Sequence, residues 1–375
     1  MTLSIEELTT FAKKKGFVFK SSDIYGGLSG FWDYGPLGVE LFNNIKQSFW
    51  HRFVKSKENM VGIDASIISH SKVWEASGHL DSFGDMIITC SKCRKKHRAD
   101  HLIEDKLEIN VEGKKIDEIN KIITENKIVC PDCSGELKEL KNFNLMFETK
   151  VGATDDSGSV AYLRGETAQG MFCNFKQVQE TQRLKLPFGI AQVGKTFRNE
   201  ISPRDFMFRS REFTIAEFEF FIHPKEFNCN LLTKKHIDLN FKFLSAEVQD
   251  DKKNELVNMT INKLLDSKKL DEWHAYWLAE QYLWLVDIGL SESKLKIREH
   301  TKNELSHYSS ATFDIDYSYP FGSKEIAGNA NRGQYDLNQH IQKSKEKLTY
   351  FDEEGKEHVV PRVIEPTFGM DRVFL

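Results

Sequence analysis

The chain has no apolar run approaching the roughly 20 residues that a membrane-spanning helix needs. Its amino terminus, MTLSIEELTTFAKKKG, contains no apolar core of the kind a secretory signal carries. These two absences lead us to expect a cytoplasmic protein with no membrane partner. An excess of positive charge is also missing, since 375 residues carry a formal net charge of -4. A nucleic-acid partner would therefore be met by local patches, for which Lys13–Lys15 and Lys92–Arg98 are the candidates. Cysteine is scarce, and six cysteines in a reducing compartment do not make a disulfide framework. What remains, 40% hydrophobic and 29% charged residues, describes a soluble globular protein with a sizeable core. The length suits one large catalytic domain with insertions, or two ordinary domains.

Four of the cysteines are paired by spacing. Cys90-x-x-Cys93 is followed, after 36 intervening residues, by Cys130-x-x-Cys133. Each CxxC knuckle presents both sulfurs on one side, so four thiolates can converge tetrahedrally on one zinc ion. With all four bound the site is closed, which indicates a structural zinc rather than a catalytic one. His97 and His101 are close enough in sequence to replace a cysteine, but with four thiolates available they read as surface residues. The charged stretch between the knuckles reads as lying outside the main core. Cys173 and Cys229 are isolated and read as small apolar residues.

The most informative stretch is QVGKTFRNEISPRDFMFRSREFTIAEFEFF, residues 192–221. It reads as two strands joined by a turn centred on Ser202-Pro203-Arg204-Asp205. Arg198 and Glu200 would share one face of the first strand, and Phe213, Ile215, Glu217 and Glu219 one face of the second. A buried face would not normally hold such charges unpaired, so it reads as a polar floor that a charged ligand completes. FRNE is followed nine residues after Glu200 by Arg209, and four further on by Phe213. This pattern resembles the motif 2 hairpin of class II aminoacyl-tRNA synthetases.

Other segments take their places around it. Residues 4–15 read as an amphipathic helix with Ser4 and Glu7 as a capping box. A helix from Leu37 places Leu37, Leu41, Ile45, Phe49 and Phe53 at core spacing, and 60–88 reads as short strands and loops. IYGGLSGFWDYGPLGVELFNNIK resembles the motif 1 region of the glycyl-tRNA synthetase family. RGETAQG opens a helix near Thr167 and resembles that family's RPETAQG, with Gly165 in place of proline. Residues 223–305 read as mostly helical, closed by Gly289, with the stripe Trp273, Tyr276, Trp277 and Trp284 as core. After the strand ATFDIDYSY, the residues Glu325, Gly328 and Arg332 resemble the segment ELxGIAxRxDYDL, with Asn329 where the family is commonly apolar. EPTFGMDR reads as a strand ending at Glu365 and a helix opening near Pro366, and resembles motif 3 with Thr367 where serine is usual.

The resemblance extends over residues 10–375 and is closest to the glycyl-tRNA synthetase family. It implies an α+β class II catalytic fold, an antiparallel sheet flanked by helices, with a zinc-binding and a helical insertion. The implied division is 1–88 with motif 1, 89–140 around zinc, 141–222 with motif 2, 223–305 helical and 306–375 through motif 3. The family continues into a carboxy-terminal anticodon-binding domain, which the resemblance does not reach here. Arg198 and Arg372 are implied as catalytic. ATP binding is implied for these two with Glu200, Arg209, Phe213 and Glu325, together with magnesium. Glycine binding is implied for Glu166, Glu217, Arg332, Glu365 and Thr367. The implied partners are ATP, glycine, tRNA(Gly) and a second copy of the chain at motif 1. A synthetase-like accessory protein without activity, or an adenylate-forming ligase for another substrate, are the alternatives.

Overall fold

The alternation in EFTIAEFEFFI becomes a strand, Glu212–Ile222, in the computed structural model, which describes residues 4–107, 109, 111, 114–153, 160–250, 255–306 and 308–375. Most of the Gly-Ser-rich stretch 153–160, and His307, lie outside the described residues. The strand pairs antiparallel with Phe188–Phe197 on one side and with Arg362–Gly369 on the other. All three belong to a nine-stranded sheet, ordered 257–260, 240–244, 295–299, 311–319, 322–333, 362–369, 212–222, 188–197 and 60–62. Two pairings are parallel, Met60–Gly62 with Phe188–Phe197 and Asn240–Leu244 with Leu295–Glu299. The fold is thus mixed α/β around a large, mostly antiparallel sheet.

Side chains leave Glu212–Ile222 alternately to either face. Ala216, Phe218, Phe220 and Ile222 enter the larger core. There the helix Glu272–Asp287 lays Trp277 against Phe218 at 4.7 Å and Trp273 against Phe220 at 5.1 Å between ring centroids. Asp271 caps this helix by accepting from the N–H groups of Trp273 and His274, and Gly289, at φ 105, follows its end. Each fully buried aromatic contributes about 1.5–3 kcal/mol. The other face carries Phe213, Ile215, Glu217 and Glu219, and then Phe221. Phe221 packs with Phe172, Phe175 and Phe188 beneath the helix Ala168–Gln182. A polar floor is thereby walled at one end by a second apolar core.

The cysteine-bearing segment forms a unit with its own centre. Gly84–Cys90 pairs with Lys96–Arg98 and with Leu137–Asn144. Helices Ala99–Leu107 and Ile116–Glu125 pack over them, burying Ile88, Ile103, Ile119 and Ile123. The charged stretch between the knuckles therefore contributes to this separate small core.

Several elements differ from the sequence reading. The first hairpin strand ends at Phe197, so Arg198 and Glu200 leave from the following loop rather than from one strand face. The Arg198 N–H still donates across the hairpin to the Arg211 carbonyl at 2.9 Å, but the next inward N–H, that of Glu200, turns back to the Arg198 carbonyl at 2.6 Å, and the ladder stops. In the helix Pro36–Trp50, Phe42 and Phe49 are buried but Leu37 and Leu41 are exposed. Positions four apart drift around the helix by about 40° per step, so five of them cannot keep one face. Helices Ser71–Ala76 and His79–Ser82 occupy a stretch read as strands and loops. Residues 223–305 supply three strands to the main sheet, because the short alternations NFKFL, VNMT and LKIRE are embedded in lysine-rich surroundings that mask them. The last helix, Met370–Phe374, starts beyond Pro366, which lies inside the strand Arg362–Gly369. The ladder to Glu212–Ile222 skips there, from Glu217–Thr367 to Phe220–Ile364, so a residue without an N–H loses no bond. The helix Ile5–Lys14, with its Ser4–Glu7 capping box, and the buried aromatic stripe are as read.

Candidate active site

A cavity of about 540 Å3 is lined by Arg198, Glu200, Arg209, Phe213, Glu325, Thr367 and Arg372. Four separate segments deliver them: the hairpin loop, its second strand, the strand Gly322–Gly333 and the chain end. A larger open groove, about 770 Å3, runs along the helix Pro36–Trp50, but Asn43, Lys46 and Trp50 bring no converging acids and bases there. The chemistry is concentrated in the smaller cavity.

At one end of this cavity cations prevail. Arg372 donates through Nη1 to the Glu325 backbone carbonyl at 2.9 Å and pairs with its carboxylate at 2.9 Å, while its guanidinium covers Phe208. Arg209 Nε donates to Glu200 Oε2 at 2.7 Å. Arg198 lies between the rings of Phe83 and Phe213, at 5.1 and 5.3 Å, and donates to the Gly165 carbonyl at 3.2 Å. Arg98 reaches in from the cysteine-bearing unit and pairs with Asp85 at 2.8 Å. Burial pushes the Asp85 carboxyl up to about 6, although Arg98 and Arg209 oppose the shift. Four guanidiniums thus gather at this end, and of the carboxylates they meet, Asp85 is only weakly held in its ionised form near neutrality. A polyanion with planar oxygen groups suits such a wall.

Thr367 leads from this wall into a buried acidic cluster. Its hydroxyl donates to Glu217 Oε2 at 3.1 Å. Glu217 Oε1 accepts from the Thr167 N–H at 2.8 Å and from the Thr167 hydroxyl, tying the strand to the start of helix Ala168–Gln182. Arg332, 1% exposed, grips both oxygens of Asp336 at 2.7 Å, pairs with Glu365 and lies 3.6 Å from Glu166. Its guanidinium rests 3.8 Å from the Tyr308 ring centroid. Burial disfavours the charged form of Glu166, but His79 and Arg332 outweigh it and hold its pKa low. Burial and the nearby Glu166 push Glu217 the other way. Thus Glu166, Glu217, Arg332 and Glu365 form one cluster below the cavity, with Thr367 at the junction.

The comparisons with known proteins can be set against this geometry. No family model matches the chain. The glycine–tRNA ligase of Geobacillus thermodenitrificans is 45% identical over 381 residues, covering 100% of this chain and 72% of that protein. That of Geobacillus kaustophilus is 44% identical, covering 100% of this chain and 74% of that protein. For Lysinibacillus sphaericus the identity is 43%, over 99% of this chain and 73% of the relative. The chain belongs to the glycine–tRNA ligase family.

This member of the glycine–tRNA ligase family also gathers its four knuckle cysteines. Sγ of Cys90 lies 3.5 Å from that of Cys133, and Sγ of Cys93 lies 3.7 Å from that of Cys130. All four sulfurs lie within 4.8 Å of one another. A zinc ion bonded to each at about 2.3 Å would space them at about 3.8 Å in a tetrahedron, so the donor set fits. His97 is not merely a surface residue: its Nε2 is 3.4 Å from Cys130 Sγ and 3.6 Å from Asp132. His101 is half-buried, its ring 3.5 Å from Arg204. Cys229 is buried in the larger core, whereas Cys173 is exposed. Chelation is expected to remove ~1 zinc per chain and to speed amide exchange through 84–144 while Glu272–Asp287 stays protected. Elemental analysis with hydrogen exchange checks this; unaltered exchange in 84–144 after metal loss would remove the structural role.

Sequence reasoning missed Asp85, Phe83 and His79, which belong to segments with no marked spacing of their own, and it named Arg98 only within a basic patch. It also missed the tie between Tyr34, Asp371 and Thr214. The Tyr34 hydroxyl donates to Asp371 Oδ1 at 2.6 Å and the Thr214 N–H donates to Oδ2 at 2.5 Å, so the last helix is held against the hairpin. The position of Asp371 beside Arg372 in GMDR was the signal available.

Proposed function

We propose that this chain is a glycine–tRNA ligase. It joins glycine to ATP as glycyl-adenylate, releases pyrophosphate, and transfers the glycyl group to the 3′-terminal ribose of tRNA(Gly). Membership in the family supports the reaction. The observation that carries the placement is the single cavity in which an arginine-rich wall meets a buried carboxylate cluster at Thr367.

In this reading the glycine carboxylate attacks the α-phosphate, so two anions must meet. Catalysis is then mostly positioning and charge neutralisation. Arg198 clamps the α-phosphate and the substrate carboxylate, while Arg209 and Arg372 hold the γ-phosphate end; planar forks pair bidentately with phosphate oxygens. Phe213 stacks on adenine and Glu200 accepts from its amino group. Arg198 covers the Phe213 ring on which adenine would stack, so stacking requires its guanidinium to turn toward the phosphates. Arg209 must likewise loosen from Glu200. Magnesium, held near Glu325, would neutralise phosphate charge. Glu166, Glu217 and Glu365 receive the ammonium, with Arg332 and Thr367 in support. Glycine offers no side chain to grip, so in this reading rejection of alanine comes from a pocket too small for its methyl group.

The same reading makes the core a class II catalytic fold, with the units 89–140 and 223–305 as insertions between 1–88, 141–222 and 306–375. It also proposes a homodimer through the motif 1 region, where Leu37, Val39 and Leu41 are exposed; a single-chain mass in light scattering would remove that part. The central test is ATP–pyrophosphate exchange across a panel of amino acids. Glycine is expected to support it, with alanine weaker by at least about 10- to 200-fold, the usual worth of one methylene. Preference for another amino acid, or exchange with none, would overturn the reading.

A further inference from the structure

Glu219 takes no part in the roles above, yet it lies two residues from Glu217 on the same strand face. It is 0% exposed, and among the described residues neither carboxyl oxygen has a hydrogen-bond partner. The register on either side of a gap in the ladder, Glu217 with Thr367 and Phe220 with Ile364, leaves Glu219 facing Glu365 on the neighbouring strand. Residues so opposed have Cβ atoms about 4.5–5.5 Å apart, and like charges there repel.

Among the described residues no cation is free to separate them. Arg332 is engaged by both oxygens of Asp336, by Glu365 and by the nearby Glu166. From the helix Tyr335–Ser344 come Asp336 and His340; burial keeps the His340 ring neutral, and it bonds to Gln169 Oε1 at 2.7 Å. From the start of helix Ala168–Gln182 come Glu166, 3.4 Å from His79, and the neutral Thr167 and Gln169. The adjoining strand Phe188–Phe197 offers Ile190 opposite Glu219 and Gln192 opposite Glu217. Tyr308 covers the far side of Arg332. Five carboxylates, Glu166, Glu217, Glu219, Asp336 and Glu365, therefore surround one guanidinium. Burial, with Glu365 beside it, pushes Glu219 well above the usual carboxylate range, and burial pushes Glu365 up to about 8.

We propose that Glu219 and Glu365 hold one proton between them while the pocket is empty, and release it when a ligand ammonium enters. Glu219 is then a positioning residue that acts through Glu365. This rests on the reading of the cluster as the glycine pocket. The incoming ammonium supplies the positive charge that the cluster lacks, the carboxylic O–H ionises, and its proton passes to solvent. The acid pair and glycine zwitterion thus become the complex and one buffer-borne proton. The sign follows: because binding releases a proton, glycine binds more tightly as pH rises toward the empty pair's pKa, and the dependence vanishes above it.

The test is calorimetry of glycine binding to the full chain at about pH 7 in phosphate and in Tris, whose ionisation enthalpies differ, so that the heat difference counts ~1 released proton. Glu219→Gln is expected to bring the count near zero. It should also flatten the pH dependence of KM for glycine, which in the parent falls by up to about tenfold per pH unit between about 6 and 8. Glycine binding without proton release in the parent, or equal release in parent and Glu219→Gln, overturns the proposal. Absence of glycine heat in both buffers is a different outcome, which overturns the amino-acid reading and this proposal with it. The parent measurement needs no variant, so its proton count decides the proposal even should Glu219→Gln not fold.

Discussion

Replacing Arg332 by alanine is expected to destabilise the protein by ~3–5 kcal/mol, the range for removing one partner of a buried ionic cluster, and to abolish glycine-dependent exchange. The guanidinium is nearly inaccessible and is gripped by Asp336, Glu365 and Glu166. Without it these carboxylates face one another with no counter-ion on the strand. They must then either take up protons or draw in water. Lysine is not expected to rescue, because the Nε and Nη2 contacts to the two Asp336 oxygens need a planar fork and an ammonium is a single point. Denaturant unfolding reads the stability and pyrophosphate exchange reads the site. A midpoint close to the parent's would show that the cluster rearranges at little cost, contrary to this account.

Glu217→Ala is expected to lower glycine-dependent exchange by roughly 10²–10³-fold, about 3–4 kcal/mol of lost transition-state stabilisation. Its structural effect should be smaller. The variant loses the bonds from Thr167 and Thr367, each worth about 0.5–1.5 kcal/mol net, while the strand ladder is untouched. Glu217→Gln separates the two contributions. Its carboxamide oxygen can still accept from Thr167, so stability should return toward the parent, but a neutral group cannot draw an ammonium as a carboxylate does. Exchange close to normal in either variant would show that Glu217 does not read the substrate.

Much of the sheet was legible because period-2 alternation is a local signal. REFTIAEFEFF and ATFDIDYSY both became strands, and the aromatic stripe of Glu272–Asp287 went to the core that its density required. The capping box at Ser4 and the helix start at Thr167 were likewise readable from a few adjacent residues. What could not be read depends on contacts between distant segments. The chain leaves the strand after Arg198, where the Glu200 N–H turns back to the Arg198 carbonyl while Asn199 is held outward by Leu145, over fifty positions away in the chain. Asp85 and Arg98 enter the cavity only because the cysteine-bearing unit is folded against the hairpin loop, where Asp85 comes within 3.9 Å of Arg209. The late start of the last helix reflects the pairing of Thr367, Phe368 and Gly369 with Glu217, Ala216 and Ile215, which keeps the chain extended and which no reading of EPTFGMDR in isolation contains. His97 was set aside because four cysteines already satisfied the metal geometry, yet the fold brings its ring against Cys130.

The bonds of Glu217 have one more consequence, in how many lone pairs are open. A carboxylate offers about four acceptor directions. Thr167 fills two of them at Oε1, through its N–H and hydroxyl, and Thr367 fills one at Oε2. A single direction remains, on the oxygen shared with Thr367. In the proposed function an ammonium has three hydrogens to place, so Glu217 would accept just one, and Glu166 and Glu365 would accept the others. The selectivity of this site for a primary amine would then be set by counting hydrogens, before any side chain is measured for size.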